Sequence, residues 1–112
     1  MKIVLAHLGH PYEVECAAII RKHPNFFVDI SALYYGPFQF YQSLMLGQKY
    51  GVWDKLLFGT DNPFTKVDSA IAGLRWMHAM LDGTALLRLD ISAIEAMIHC
   101  DVPGLLGLKG PW

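Results

Sequence analysis

Three residues have side chains suited to holding a divalent metal or moving a proton: His7, Asp29 and Asp61. A fourth, His10, is placed to touch a substrate. His7 closes the apolar run Ile3-Val4-Leu5-Ala6, and Asp29 lies in Phe26-Phe27-Val28-Asp29-Ile30-Ser31. Asp61 ends Lys55-Leu56-Leu57-Phe58-Gly59-Thr60, just before Asn62-Pro63-Phe64. An imidazole and carboxylates gathered at one rim suit metal ligation, or proton removal from a water whose pKa a metal has lowered. Each residue also has a plainer reading. Asp61 ahead of Asn62-Pro63 can be a turn former, because Asp, Asn and Pro favour turns for local hydrogen-bonding reasons. His7 can be a hydrogen-bonded core histidine, and His10 a loop histidine fixed by Pro11. Asp29 sits in an apolar run, so its charge must be paired or hydrogen-bonded, and a supporting role suits it better than direct catalysis. His23, His78 and His99 fall in helical or helix-end positions and read as surface or packing residues.

The elements that would present these residues repeat as a unit: an apolar run, a polar or Gly-containing end, then a helical stretch. Ile3 to Ala6 reads as a strand buried on both faces, and Tyr12 to Lys22 as a helix stopped by His23-Pro24-Asn25. Phe26 to Ser31 is rich in strand formers, and a helix from Phe38 to about Tyr50 follows Gly36-Pro37. Lys55 to Phe58 is the third strand. Thr65 with Asp68 resembles a capping pair for a helix through Leu81, closed by Asp82-Gly83. Ser92 and Glu95 form a Ser-x-x-Glu capping box for a last helix, which Asp101-Val102-Pro103 interrupts before Leu105-Leu106-Gly107-Leu108. Strand and helix alternate, so a parallel α/β sheet with right-handed crossovers is expected. In such sheets the loops after the strands converge at their carboxyl ends, where His7, Asp29, Ser31 and Asp61 fall.

The chain has 112 residues, enough for one domain spanning 1–112. Hydrophobic residues make up 54% and charged residues 17%, against roughly 45–50% and about 25% in an average globular domain. Burial against further polypeptide would explain that surplus. A net charge of -1 without a basic cluster gives no footprint for nucleic acid or an anionic membrane. Cys16 and Cys100 match no zinc motif and read as buried free thiols in a reducing compartment. The apolar start is too short for a signal peptide, and no run is long enough to span a membrane, so a cytoplasmic protein is expected.

Three motifs in order resemble the amidohydrolase-related family of metal-dependent barrels. Ile-Val-Leu-Ala-His-Leu-Gly-His-Pro is similar to its sixth-strand segment, and Asn-Phe-Phe-Val-Asp-Ile-Ser-Ala to the segment around strand seven. Lys-Leu-Leu-Phe-Gly-Thr-Asp-Asn-Pro-Phe resembles strand eight and its catalytic loop. The stretch from Ile94 to Leu108 resembles the family's closing helix, departing from the Asn-Ala-x-x-Leu-Leu-Gly-Leu pattern at Asp101 and Val102-Pro103.

The resemblance implies a partial (β/α)8 TIM barrel: three parallel strands alternating with helices, plus a carboxy-terminal helix. It implies a divalent metal, commonly zinc, that activates water against C–N, C–O or C–C bonds of a small-molecule substrate; some relatives decarboxylate instead. Asp61 would then touch the metal and take the proton from its water. His7 would orient or protonate the substrate or assist the metal, His10 would contact the substrate, and Asp29 would support. The family's His-x-His pair on strand one and its ligand from strand four or five have no counterpart here. A full barrel takes about 250 residues. The chain is therefore expected to begin at strand six and to pair with the missing part or with itself through open sheet edges. Three functions remain open: a metal-dependent hydrolase, a decarboxylase of the same family, and a non-catalytic assembly module. The aromatic cluster Tyr34-Tyr35, Phe38, Phe40 and Tyr41 either walls a substrate pocket or packs a helix.

Overall fold

The computed structural model describes residues 1–31 and 36–108. Three parallel strands form one sheet in the order β1 (Ile3–Leu5), β2 (Phe26–Asp29), β3 (Leu56–Leu57). β1 pairs with β2 in register Ile3 to Phe26, Val4 to Phe27 and Leu5 to Val28. β2 pairs with β3 through Val28 to Leu56 and Asp29 to Leu57. The helices are α1 (Glu13–Lys22), α2 (Pro37–Tyr50), α3 (Val67–Ala79), α4 (Ile91–Ile98) and α5 (Val102–Leu105). The strand–helix alternation expected from the apolar runs is therefore present, with β2 central and β1 and β3 at the two edges.

Alternation along β2 divides its side chains between two faces. Val28 and Ile30 join Leu56, Ile20, Leu44 and Phe40 in the main core between sheet and helices. Phe27 and Leu57, on the opposite face, are buried as well. β1 departs from the expectation of burial on both faces, because Val4 is 41% exposed. As an edge strand, β1 has a neighbour on one side only among the described residues.

Long-range contacts close the helices onto this core. The Lys55 ammonium donates to the carbonyls of Ile20 (2.5 Å) and His23 (2.7 Å), placing a cation on the last carbonyls of α1. Arg21 stacks 4.9 Å from the Tyr50 ring, joining the ends of α1 and α2. Phe40 is buried and packs the helix, while Tyr41, also buried, donates its hydroxyl to the Leu87 carbonyl at 2.7 Å and lines an open cavity beside α2. Phe38 is exposed, and Tyr34 and Tyr35 lie outside the described residues.

Three local expectations are corrected. The last long helix is capped by Asp90, whose Oδ1 accepts from Ser92 N–H (2.9 Å) and Ala93 N–H (3.3 Å). Ser92 is thereby inside the helix, and Glu95 turns to Arg75 of α3 instead. α3 begins after Lys66 without a side-chain cap, so Thr65 and Asp68 do not form the expected pair. Cys16 is buried as expected, but Cys100, just past the end of α4, is exposed.

Candidate active site

The site is assembled at the carboxyl ends of the strands. After Leu5 the chain enters a tight turn, Ala6–Gly9, in which His7 (φ 54°), Leu8 (φ 53°) and Gly9 (φ 71°) are all left-handed. For a residue with a Cβ this conformation costs roughly 1–2 kcal/mol, and it persists only where the surroundings hold it. Two anchors do so. Leu8 is buried in the core at 2% exposure. Gly9 backs onto α1 so closely that a Cβ there would stand 2.7 Å from the Cys16 Cβ. Burial, and then the charge of Glu13, push the thiol of Cys16 up.

The third anchor is polar. Asp29 Oδ1 accepts the backbone N–H of His7 (3.2 Å), the backbone N–H of Ser31 (3.0 Å) and the Ser31 hydroxyl. His7 Nδ1 lies 2.9 Å from Ser31 Oγ, 3.1 Å from the Ser31 carbonyl and 3.8 Å from Asp29 Oδ1. β1 and β2 thus bring His7, Asp29 and Ser31 into one knot, with Ser31 buried and the His7 side chain 42% exposed. The charge of Asp29 is hydrogen-bonded, as its place in an apolar run requires.

Asp61 follows the carboxyl end of β3, on the same rim. Gly59, two residues before it, runs beside the knot: a Cβ there would meet the Ser31 Cβ at 3.4 Å and the Asp29 Cβ at 3.9 Å. Asp61 is left-handed (φ 60°), precedes a cis Asn62–Pro63 bond, and its carbonyl accepts from Phe64 N–H at 2.9 Å. The turn is therefore made by the main chain. Among the described residues the Asp61 carboxylate makes no hydrogen bond or ion pair.

His10 stands apart from this group. It precedes a cis His10–Pro11 bond, and its Nδ1 pairs with Glu13 in the first turn of α1. With Glu13 and Val14 it borders an open cavity of about 1010 Å³ that continues along Gln42 and Met45 of α2 to Leu87. His7, Asp29 and Asp61 do not line that cavity, so volume and strand-end chemistry point to different places. The strand ends are the better guide, because they concentrate the ionisable and strained residues.

Among the described residues no three His, Cys, Asp or Glu side chains form a group able to hold a metal. The sequence signal for Ser31 was the Asp-x-Ser spacing at a strand end, which suits a local side-chain-to-backbone turn. Its contact with His7 comes from the neighbouring strand and has no local signature.

The model of the amidohydrolase family matches residues 1–93 of the 112-residue chain. The chain belongs to the amidohydrolase family. The matched stretch contains all three strands, the His7–Ser31–Asp29 knot and the Asp61 turn. Membership assigns it in general terms to the amidohydrolase-superfamily hydrolases, a family that acts on small molecules and generally uses divalent metals. No helix among the described residues is long and apolar enough to cross a membrane. Comparison with curated proteins returned no match.

Proposed function

We propose that this amidohydrolase-family chain, as one domain over residues 1–112, supplies strands six to eight of a (β/α)8 barrel and one part of a metal-dependent hydrolase site. One observation carries the reading. A strained turn, a hydrogen-bonded His–Ser–Asp knot and an Asp carboxylate with no partner among the described residues lie on one rim of a family-matched parallel sheet. The divalent metal, zinc for preference, would polarise water and lower its pKa. Asp61 would be its ligand in this chain. Three protein ligands are usual in a catalytic zinc site, and the described residues do not group three. The remaining ligands therefore come from outside these residues.

The chain's own groups have separable tasks. The carboxylate of Asp61 accepts a proton, the imidazole of His7 orients the substrate, assists the metal or passes on a proton it has first taken up, and Asp29 holds His7 in place. His10, at the mouth of the α1–α2 cavity, contacts the substrate's outer part. The same groups would serve a decarboxylase of the family. The lack of a three-ligand group among the described residues favours a second reading for the chain acting alone, that of an assembly module. Two edge strands and exposed apolar side chains such as Val4, Ile19, Phe38 and Trp76 favour pairing with the rest of a barrel or with a second copy. A cytoplasmic setting goes with this reading, since Cys100 is an exposed free thiol.

The test is complementation. The chain is co-expressed with an amino-terminal half-barrel of a family member bearing the His-x-His pair, and hydrolysis of small amides, esters and lactones is measured with and without added zinc. Zinc-dependent turnover that Asp61→Asn removes is expected. Turnover that survives Asp61→Asn would refute the assignment.

A further inference from the structure

The hydrogen-bond donors around His7 allow only one neutral form of its ring. Asp29 Oδ1 already receives two backbone N–H groups, from His7 and from Ser31, so that oxygen is an acceptor. The Ser31 hydroxyl, also bonded to Oδ1, must then donate its proton there. With that proton committed, Ser31 Oγ can only accept from His7 Nδ1 at 2.9 Å. The other neighbour of Nδ1 is the Ser31 carbonyl at 3.1 Å, which has no proton to give. Both partners of Nδ1 are acceptors, so Nδ1 carries the hydrogen.

We propose that Ser31, with its proton committed to Asp29, is a positioning residue that locks His7 as the Nδ1–H tautomer and leaves Nε2 as its working nitrogen. The inference rests on the reading of His7 as a working residue of the site. In a histidine ligand or general base, the hydrogen bond at one ring nitrogen sets the state and basicity of the other. An unrestrained neutral histidine favours the opposite tautomer, with hydrogen on Nε2 and the lone pair turned inward on Nδ1. The lock reverses that preference with three groups from two strands. It also explains why two adjacent residues with a Cβ, His7 and Leu8, are held left-handed: the turn brings Nδ1 onto Ser31. Ser31 is buried while the His7 ring is 42% exposed, so the fixed end is inside and the exchanging ring reaches solvent.

The tautomer can be read directly in the full chain, without any reaction. The probe is the long-range proton–nitrogen spectrum of the imidazoles in uniformly ¹⁵N-labelled protein. It is recorded with chelator present at about pH 8.5, above the ordinary imidazole value of about 6.5. His7→Gln identifies which of the five histidine patterns belongs to His7. The expected result is a protonated-type shift at Nδ1 and an unprotonated-type shift at Nε2. Ser31→Ala should draw the two shifts toward each other, because only the carbonyl still accepts from Nδ1. Should that variant not fold, Asp29→Ala frees the hydroxyl proton of Ser31 and is expected to move the shifts the same way. Hydrogen on Nε2 in the unsubstituted chain, or averaged shifts there, would overturn the lock. Unchanged shifts in a folded Ser31→Ala would remove Ser31 from it. Failure of the hydrolase reading is distinguishable, since a locked His7 in a chain that supports no hydrolysis would refute that reading and leave the lock intact.

Discussion

Replacing Gly9 with alanine tests whether the His7 turn is held by its contact with α1. Gly9 has φ +71°, and a Cβ there would lie 2.7 Å from the Cys16 Cβ and 3.0 Å from its Sγ. The left-handed backbone alone costs an alanine roughly 1–2 kcal/mol. Two carbons prefer a separation of about 3.5–4.0 Å, so the turn and α1 must part by nearly 1 Å, and overpacking of this kind costs about 1–3 kcal/mol. The sum is about 2–5 kcal/mol. Gly83 supplies the control, with φ +75° and nothing within 4 Å of its virtual Cβ. Gly83→Ala should therefore cost only the backbone part, about 1–2 kcal/mol. Urea unfolding followed by tryptophan fluorescence measures both. With a slope of about 2 kcal/mol per M, the Gly9→Ala midpoint should fall by roughly 1–2.5 M, further than that of Gly83→Ala. Equal losses in the two variants would refute the reasoning, because the contact with Cys16 would then count for nothing.

Other outcomes follow from the same contacts. Cys100 is exposed and Cys16 buried with its thiol pushed up, so a thiol reagent should modify Cys100 rapidly and Cys16 only on unfolding; equal rates would contradict the burial. Because the folded value of Cys16 is the higher one, its contribution to stability is complete below the ordinary thiol range. It is lost as pH rises through the folded value, and alkaline unfolding of Cys16→Ala should lack that component. Arg75 holds Glu95 bidentately at 2.7 and 3.0 Å, and the Arg75 hydrogen bond is the main cause that lowers the Glu95 carboxyl. That contribution is present above the ordinary carboxylate range and lost as pH falls through the folded value. Arg75→Ala should lower Tm slightly at neutral pH, less so in high salt and not at all in acid; a loss independent of pH would assign Arg75 a packing role instead.

The strand and helix order was legible because each apolar run gives way to a polar or Gly-containing end before the next helical stretch, and those stops act locally. The corrections come from competition at a distance. Ser92 and Glu95 have the right spacing for a capping box, but Asp90, two residues upstream, caps the helix through the amides of Ser92 and Ala93, while Glu95 finds Arg75 on another helix. Nothing local marks that pairing. Asp61 and His7 stood out by type and position, and the resemblance of their motifs agrees with the family match. What the residues could not announce is the left-handed backbone at His7, Leu8 and Asp61, since none of them is glycine. The acceptor pair that Ser31 presents to His7 depends on β1–β2 register, which is a tertiary property.

As proposed, this chain would hold part of a metal site and need further ligands to finish it. Zinc titration of the isolated chain by calorimetry, with Asp61→Asn alongside, tests it most directly. Binding weaker than about 1 μM, below one zinc per chain and weaker still in Asp61→Asn, is the expected result. Tight one-to-one binding by the isolated chain, indifferent to Asp61→Asn, would contradict the account.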